Sequence, residues 1–192
     1  MALLAFREPG RILPTMRILH PDDFLTSPWK NGGGITNEIA RAEEAGRLLW
    51  RLSIAEVASD GPFSRFEGLA RILTVIEGAG LQLGMPTGTV AALPKRPVAF
   101  SGDIAVDCML KNGAVRDFNV IYDPDRIEAS VRLLEGSERP QAHDGGLLAL
   151  TGEIEVGRVT LPAGSLALGR LDRIRCANNA TALLVTLRPL AP

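Results

Sequence analysis

The sequence predicts an all-β protein, and three observations carry that reading. Short segments rich in Val, Ile, Leu and Thr recur along the 192 residues, each closed by Gly, Pro, Asp or Asn. Their turns fall about 8–12 residues apart, the spacing of a β-sandwich or β-barrel. No stretch sustains an apolar period of 3.6 for more than two turns.

Taken in order, residues 1–15 read as an N-terminal extension. Their short apolar run lacks a basic flank and is broken by Arg7 and Glu8, which suits neither a signal peptide nor a spanning helix, and Met16 offers a second start. Residues 17–20 predict a strand, and residues 21–25 a single acidic helical turn stopped by Pro28. Then comes Pro28-Trp29-Lys30-Asn31-Gly32-Gly33-Gly34. Three successive glycines lose the most backbone entropy on folding, so an ordered run implies positive φ or a close backbone approach.

A hairpin follows, of strands 35–42 and 48–57. A turn centred on Glu44-Ala45 sets Glu38 opposite Arg51 and Thr36 opposite Ser53, giving one polar face; Ala40 shares that face, while Trp50, Leu52 and Ile54 pack behind it. A slip of one residue would undo the arrangement. Gly61-Pro62-Phe63-Ser64-Arg65-Phe66 is a turn with two aromatics. Strands are expected at 71–77, 81–83, 89–93, 98–100, 104–110 and 116–122, then at 127–134, 147–150, 153–156, 157–161, 165–168, 174–177 and 182–187. Two internal echoes suggest related barrels in tandem: residues 76–83 with 150–156, and 100–106 with 161–168.

A formal net charge of −1, with no block of Lys or Arg, argues against nucleic acid or a membrane as partner. Two cysteines, Cys108 and Cys176, are too few for a disulfide framework and suit a reducing cytoplasm. Both lie in apolar segments and read as inert core residues. The glycine triplet lacks the Gly-Lys-[Ser/Thr] ending and the following helix of a phosphate loop. His20 and His143, the only histidines, stand alone, so no metal or other cofactor is expected. His20 reads as a surface or hydrogen-bonding residue and His143 as a loop residue. No Ser-His-Asp or Cys-His arrangement is evident.

What remains is a set of polar residues on apolar strands: Thr36, Glu38, Arg51, Ser53, Arg71 and Asn119. An arginine inside a barrel must be paired, because a lone buried charge costs at least several kcal/mol. Glu38 can neutralise one arginine and leave the other for a ligand carboxylate, which a guanidinium grips through two parallel hydrogen bonds. The alternative is a set of side chains facing water from a half-exposed sheet.

Four motifs resemble the signature of the HutD/Ves family: Trp29-Lys30-Asn31-Gly32-Gly33-Gly34-Ile35-Thr36-Asn37-Glu38; Trp50-Arg51-Leu52-Ser53-Ile54-Ala55; Gly61-Pro62-Phe63-Ser64-Arg65-Phe66-Glu67-Gly68 with Arg71; and Asp117-Phe118-Asn119-Val120. The match covers residues 16 to about 122 and weakens beyond. The resemblance implies a bicupin, two double-stranded β-helix (jelly-roll) barrels over residues 16–122 and 123–192, often paired as a homodimer. It implies an accessory role in bacterial histidine utilisation, without the His-x-His and Glu metal set of most cupins. The family's shared polar residues fall on Thr36, Glu38, Arg51, Ser53, Arg71 and Asn119, the same set reached from alternation, and this favours a pocket.

The leading expectation is a metal-free cupin that binds a small anionic metabolite (urocanate, formylglutamate or formate), with Phe63 and Trp29 as pocket walls or barrel-end packing. A second is an enzyme of the same pathway with Glu38 as general acid/base, lacking an evident nucleophile. A third is an interaction protein using the second barrel as a dimer surface.

Overall fold

The computed structural model describes residue 13 and residues 16–30, 32–136 and 140–190. The proposed extension at 1–15 therefore lies, but for Leu13, outside the described residues. Among the described residues the regular elements are strands and one 3-10 turn at Pro21–Asp23. The first strands are β1 (Arg17–Leu19), β2 (Leu25–Pro28), β3 (Gly34–Glu44), β4 (Arg47–Val57), β5 (Gly61–Pro62), β6 (Ala70–Glu77), β7 (Leu81–Met85), β8 (Gly88–Ala92), β9 (Val98–Ser101), β10 (Asp107–Leu110) and β11 (Val115–Tyr122). They are followed by β12 (Ile127–Glu135), β13 (His143–Thr151), β14 (Ile154–Val156), β15 (Val159–Leu161), β16 (Leu166–Leu171), β17 (Ile174–Cys176) and β18 (Thr181–Pro189).

These strands form a six-stranded sheet ordered β2-β3-β4-β11-β6-β9, a four-stranded sheet β5-β10-β7-β8, a five-stranded sheet β1-β16-β13-β18-β12 and a three-stranded sheet β15-β14-β17. One apolar core, including Leu73, Val75, Leu81, Leu83 and Val115, lies between the six- and four-stranded sheets. A second, including Leu147, Ile154, Leu161 and Leu184, lies between the five- and three-stranded sheets. A third joins the backs of the two large sheets, with Trp50, Leu52, Ile54 and Phe118 meeting Leu148, Leu166, Leu183 and Val185. Alternation along β4 sends Trp50, Leu52 and Ile54 to this shared core and Ala55 and Val57 to the first.

One pattern of pairing occurs twice. β6 pairs with β9 and β11, and β7 with β8 and β10. In the later half β13 pairs with β16 and β18, and β14 with β15 and β17. Even the irregularities correspond: the β6–β11 register shifts beside Arg116/Asp117, and the β13–β18 register between Ala149 and Thr151. The echo of residues 76–83 in 150–156 falls on this equivalence, since Gly78 and Gly152 both leave a large sheet at positive φ. The other echo does not. Residues 100–106 run from β9 to β10, whereas residues 161–168 run from β15 to β16, and β15 is the equivalent of β8. Its likeness was only that of two glycine turns. β1 crosses between the halves, pairing Arg17 with Leu168, and His20 Nδ1 lies 3.1 Å from the Oγ of buried Ser165.

Several local expectations need correction. The β3–β4 turn is Ala45-Gly46, both at positive φ, so Glu38 faces Ser53 and Thr36 faces Ala55. A shift of this even kind keeps the faces, because side chains alternate with period two. A register shift between Glu38 and Ala40 then turns Ala40 to the opposite side, against Leu52 in the shared core. Pro28 ends an edge strand, where a missing N–H is tolerated, rather than stopping a helix. The strand expected at 104–110 begins only at Asp107. His143 is a buried strand residue rather than a loop residue.

Candidate functional site

The glycine run closes one end of the first core. Trp29 N–H donates to the Gly34 carbonyl at 2.9 Å, and Gly32 N–H to the Trp29 carbonyl at 3.0 Å. Gly32 sits at φ +73°, and a Cβ on Gly34 would lie 2.4 Å from the Glu56 carbonyl oxygen and 3.1 Å from the Trp29 ring. Glycine is needed here because the turn presses the indole against the strand. The indole Nε1 then donates to Thr36 Oγ1 at 2.8 Å, and its ring meets Phe63 edge-on with centroids 6.1 Å apart.

Beneath these rings lies a cavity of about 490 Å³ lined by Trp29, Lys30, Thr36, Arg51, Ser53, Phe63, Phe66, Arg71, Asn119 and their apolar neighbours Pro28, Ala55, Pro62 and Ile121, with Ser64. β3 supplies Thr36, β4 supplies Arg51 and Ser53, β6 supplies Arg71 and β11 supplies Asn119. Register aligns them: Ile121 lies between Arg51 and Arg71, and Asn119 between Ser53 and Leu73.

Arg71 is buried and held from several sides. Its Nε donates to Asn119 Oδ1 at 2.8 Å, and a terminal nitrogen lies 3.8 Å from Asp117 Oδ1. Its guanidinium carbon stands 4.5 Å from the Phe63 ring centroid and 5.5 Å from that of Phe100, two cation–π contacts that help offset lost hydration. Burial lowers its pKa, the Asp117 charge opposes this, and the Arg51 charge lowers it further. Arginine still keeps its proton at neutral pH. The two guanidinium groups thus feel each other across the cavity. Arg51 is paired with Glu38, Nε to Oε2 at 2.9 Å.

Six of the seven residues expected at a site come together here: Thr36, Arg51, Ser53, Phe63, Arg71 and Asn119. Glu38 does not join the lining; its carboxylate is held by Arg51 and stands 3.7 Å from Arg41. The sequence reading missed Asp117, Phe66, Phe100 and Lys30. Asp117 was legible in principle, because it stands two residues from Asn119 on the same face of an otherwise apolar strand. It is fully buried, and burial lifts its carboxyl to about 6, with Arg71 and then the Asn119 hydrogen bond pulling it back.

Cupins commonly hold a metal, but these residues do not fit one. Two guanidinium cations occupy the cavity floor, and among the described residues no three His, Cys, Asp or Glu side chains gather. Buried Cys108 is no nucleophile: burial first, then Asp117 and Asp60, push its thiol up to about 12, against the pull of Arg71. Among the described residues no helix is long and apolar enough to cross a membrane.

The sheets and this arginine-lined cavity define a cupin-like β protein. Its fold resembles that of a cupin from Leptotrichia buccalis, at a TM-score of 0.58 and 10% identity over 90% of this chain and 96% of that one. The chain belongs to the HutD family, whose model matches residues 21–189. An uncharacterized 21.2 kDa protein from the hutC 3′ region of Pseudomonas putida is 43% identical over 65% of this chain and 67% of its own length. Protein Ves of Citrobacter koseri is 34% identical over 70% and 73%. The structure of HutD from Pseudomonas fluorescens, determined in a formate condition, superposes at a TM-score of 0.78 with 34% identity, covering 91% of this chain and 100% of that one.

Proposed function

We propose that this protein is a metal-free bicupin whose first barrel binds a small anionic metabolite and thereby moderates histidine utilisation. The observation that carries this reading is the pair of guanidinium groups, Arg51 and Arg71, lining one cavity under the Trp29 and Phe63 rings. The twice-used strand pairing supports two barrels back to back, and the hut context named for the Pseudomonas putida relative supports the pathway. Each guanidinium has a carboxylate partner, so a guest competes for a fork already oriented rather than for a bare charge.

Urocanate, formylglutamate and formate carry the carboxylate such a site would grip. The larger two, with ring or chain against the aromatic wall, should bind with micromolar dissociation constants, roughly −8 kcal/mol. Formate has too few atoms for that; at a ceiling of about −1.5 kcal/mol per heavy atom it binds in the millimolar range. Isothermal titration with the three ligands tests the reading, with binding lost in Arg71→Ala. Failure of all three to bind would reject it. We rank a binding role above an enzymatic one because Glu38, the residue proposed as general acid/base, is engaged by Arg51 and does not line the cavity.

A further inference from the structure

Behind Arg71 stands a carboxylate that does not line the cavity. Asp117 Oδ1 accepts the Asn119 Nδ2–H at 2.6 Å and lies 3.8 Å from a terminal nitrogen of Arg71. Its other oxygen, Oδ2, is buried without a hydrogen-bond partner. A fully buried carboxylate with one bare oxygen is a costly arrangement, and only a counter-charge makes the ionised form tolerable. The groups facing it are Arg71 on β6, Asn119 on its own strand and the protonated thiol of Cys108 on β10, with Asp60 beyond that thiol and Arg51 beyond Arg71. Arg71 is the one cation in contact with it among the described residues.

The Arg71 fork cannot serve two masters equally. Its Nε is committed to Asn119, so the terminal nitrogens must divide between Asp117 and whatever anion enters the cavity. We propose that Asp117 sets the charge this pocket accepts: a guest carboxylate displaces it as the counter-ion of Arg71, and Asp117 takes up one proton from solvent as the guest binds. This rests on the anion-binding reading above and adds to it the residue that limits the floor to one negative charge.

The balance is simple. One anion and one proton enter, an O–H bond forms on the Asp117 carboxyl, and the Arg71–Asp117–guest group stays neutral throughout. Nothing is oxidised, and the guest gains no covalent bond. Burial already holds this carboxyl at about 6 against the pull of Arg71, so a guest that takes over Arg71 raises it further.

Titration calorimetry with sodium formate tests this, since formate itself does not titrate near neutrality. Measured at about pH 7.5 in two buffers of different ionisation enthalpy, wild-type protein should take up close to one proton per formate, with affinity weakening toward tenfold per pH unit above neutrality. In Asp117→Asn the uptake should vanish and affinity become flat with pH, about a hundredfold tighter than wild type at pH 8, two pH units above the wild-type carboxyl's value of about 6. Formate binding with no proton uptake in the wild type would overturn the proposal and leave the anion-binding reading standing. No binding of formate or of the larger carboxylates would overturn both. The wild-type measurement decides the matter even if Asp117→Asn does not fold.

Discussion

The two halves of the chain share a frame and differ in what fills it. Aligning the β6–β11 pairing with β13–β18 sets Arg71 against Gly145, Asp117 against Ala182 and Asn119 against Leu184. The β9 and β16 registers add Phe100 against Gly169. Thus the buried ion pair, its amide and one of the two rings against Arg71 all have small or apolar counterparts in the later half. There the interior is closed, with Leu147, Ala149, Leu184 and Ala182 packed in one core. The comparison teaches that the strand frame does not by itself make a cavity. Differences at these four matched positions separate a filled interior from one that holds a buried ion pair, because a paired arginine needs room and partners that Gly, Ala and Leu do not.

The largest effect should come from making the first half resemble the second in part. Arg71→Leu strands Asp117 without its counter-ion, so it should abolish carboxylate binding and destabilise the protein by about 3–5 kcal/mol in urea unfolding. Replacing Arg71, Asp117 and Asn119 together by Leu, Ala and Leu should recover most of that stability but no binding. If the triple variant is as unstable as the single one, the charge argument fails. In the other half, Gly145→Ala would set a Cβ 1.9 Å from the Val185 carbonyl oxygen. It should cost about 3 kcal/mol by the same measurement, because backbone must move.

Stability should respond to pH with opposite signs in the two halves. The folded Asp117 carboxyl is raised to about 6, so its contribution is fully present below its ordinary value and is lost as pH rises through about 4 to 6. Asp117→Asn should flatten that window, and by leaving buried Arg71 without its counter-ion it should destabilise the unliganded protein. His143 is the reverse case. Burial lowers its pKa, against the upward pull of backbone hydrogen bonds to Gln141 and Gly146 and of the Asp144 charge. Its contribution is present above the ordinary histidine value and is lost as pH falls below about 6.5. His143→Leu should remove that decline in thermal melts taken across pH, and an unchanged decline would exclude His143 as its source. The smallest effect is at the β3–β4 turn, where Ala45 is held at φ 50°. Ala45→Gly should raise stability by about 0.5 kcal/mol without touching binding in either half.

Much of this was legible in the chain itself. Alternation is a local property of a strand, so the all-β class, the opposition of Trp50 and Leu52 to Arg51 and Ser53, and the need for glycine before Ile35 could all be read from neighbours in sequence. The first internal echo marked the true equivalence because it spans a turn whose Gly78 and Gly152 leave the large sheets in the same way. The register of β3 on β4 could not be read to the residue, since shifts at Ile39 and at the hairpin end are set by packing on both faces. Nor could the fate of Glu38, which depends on where the Arg51 side chain turns.

The sequence by itself determined which faces are polar, because that is decided every second residue by covalent geometry. Only the tertiary structure decided that Arg71 meets Asn119, 48 residues away, and so leans on Asp117. Such a meeting depends on which strand lies beside which, and sheet order is a property of the whole chain.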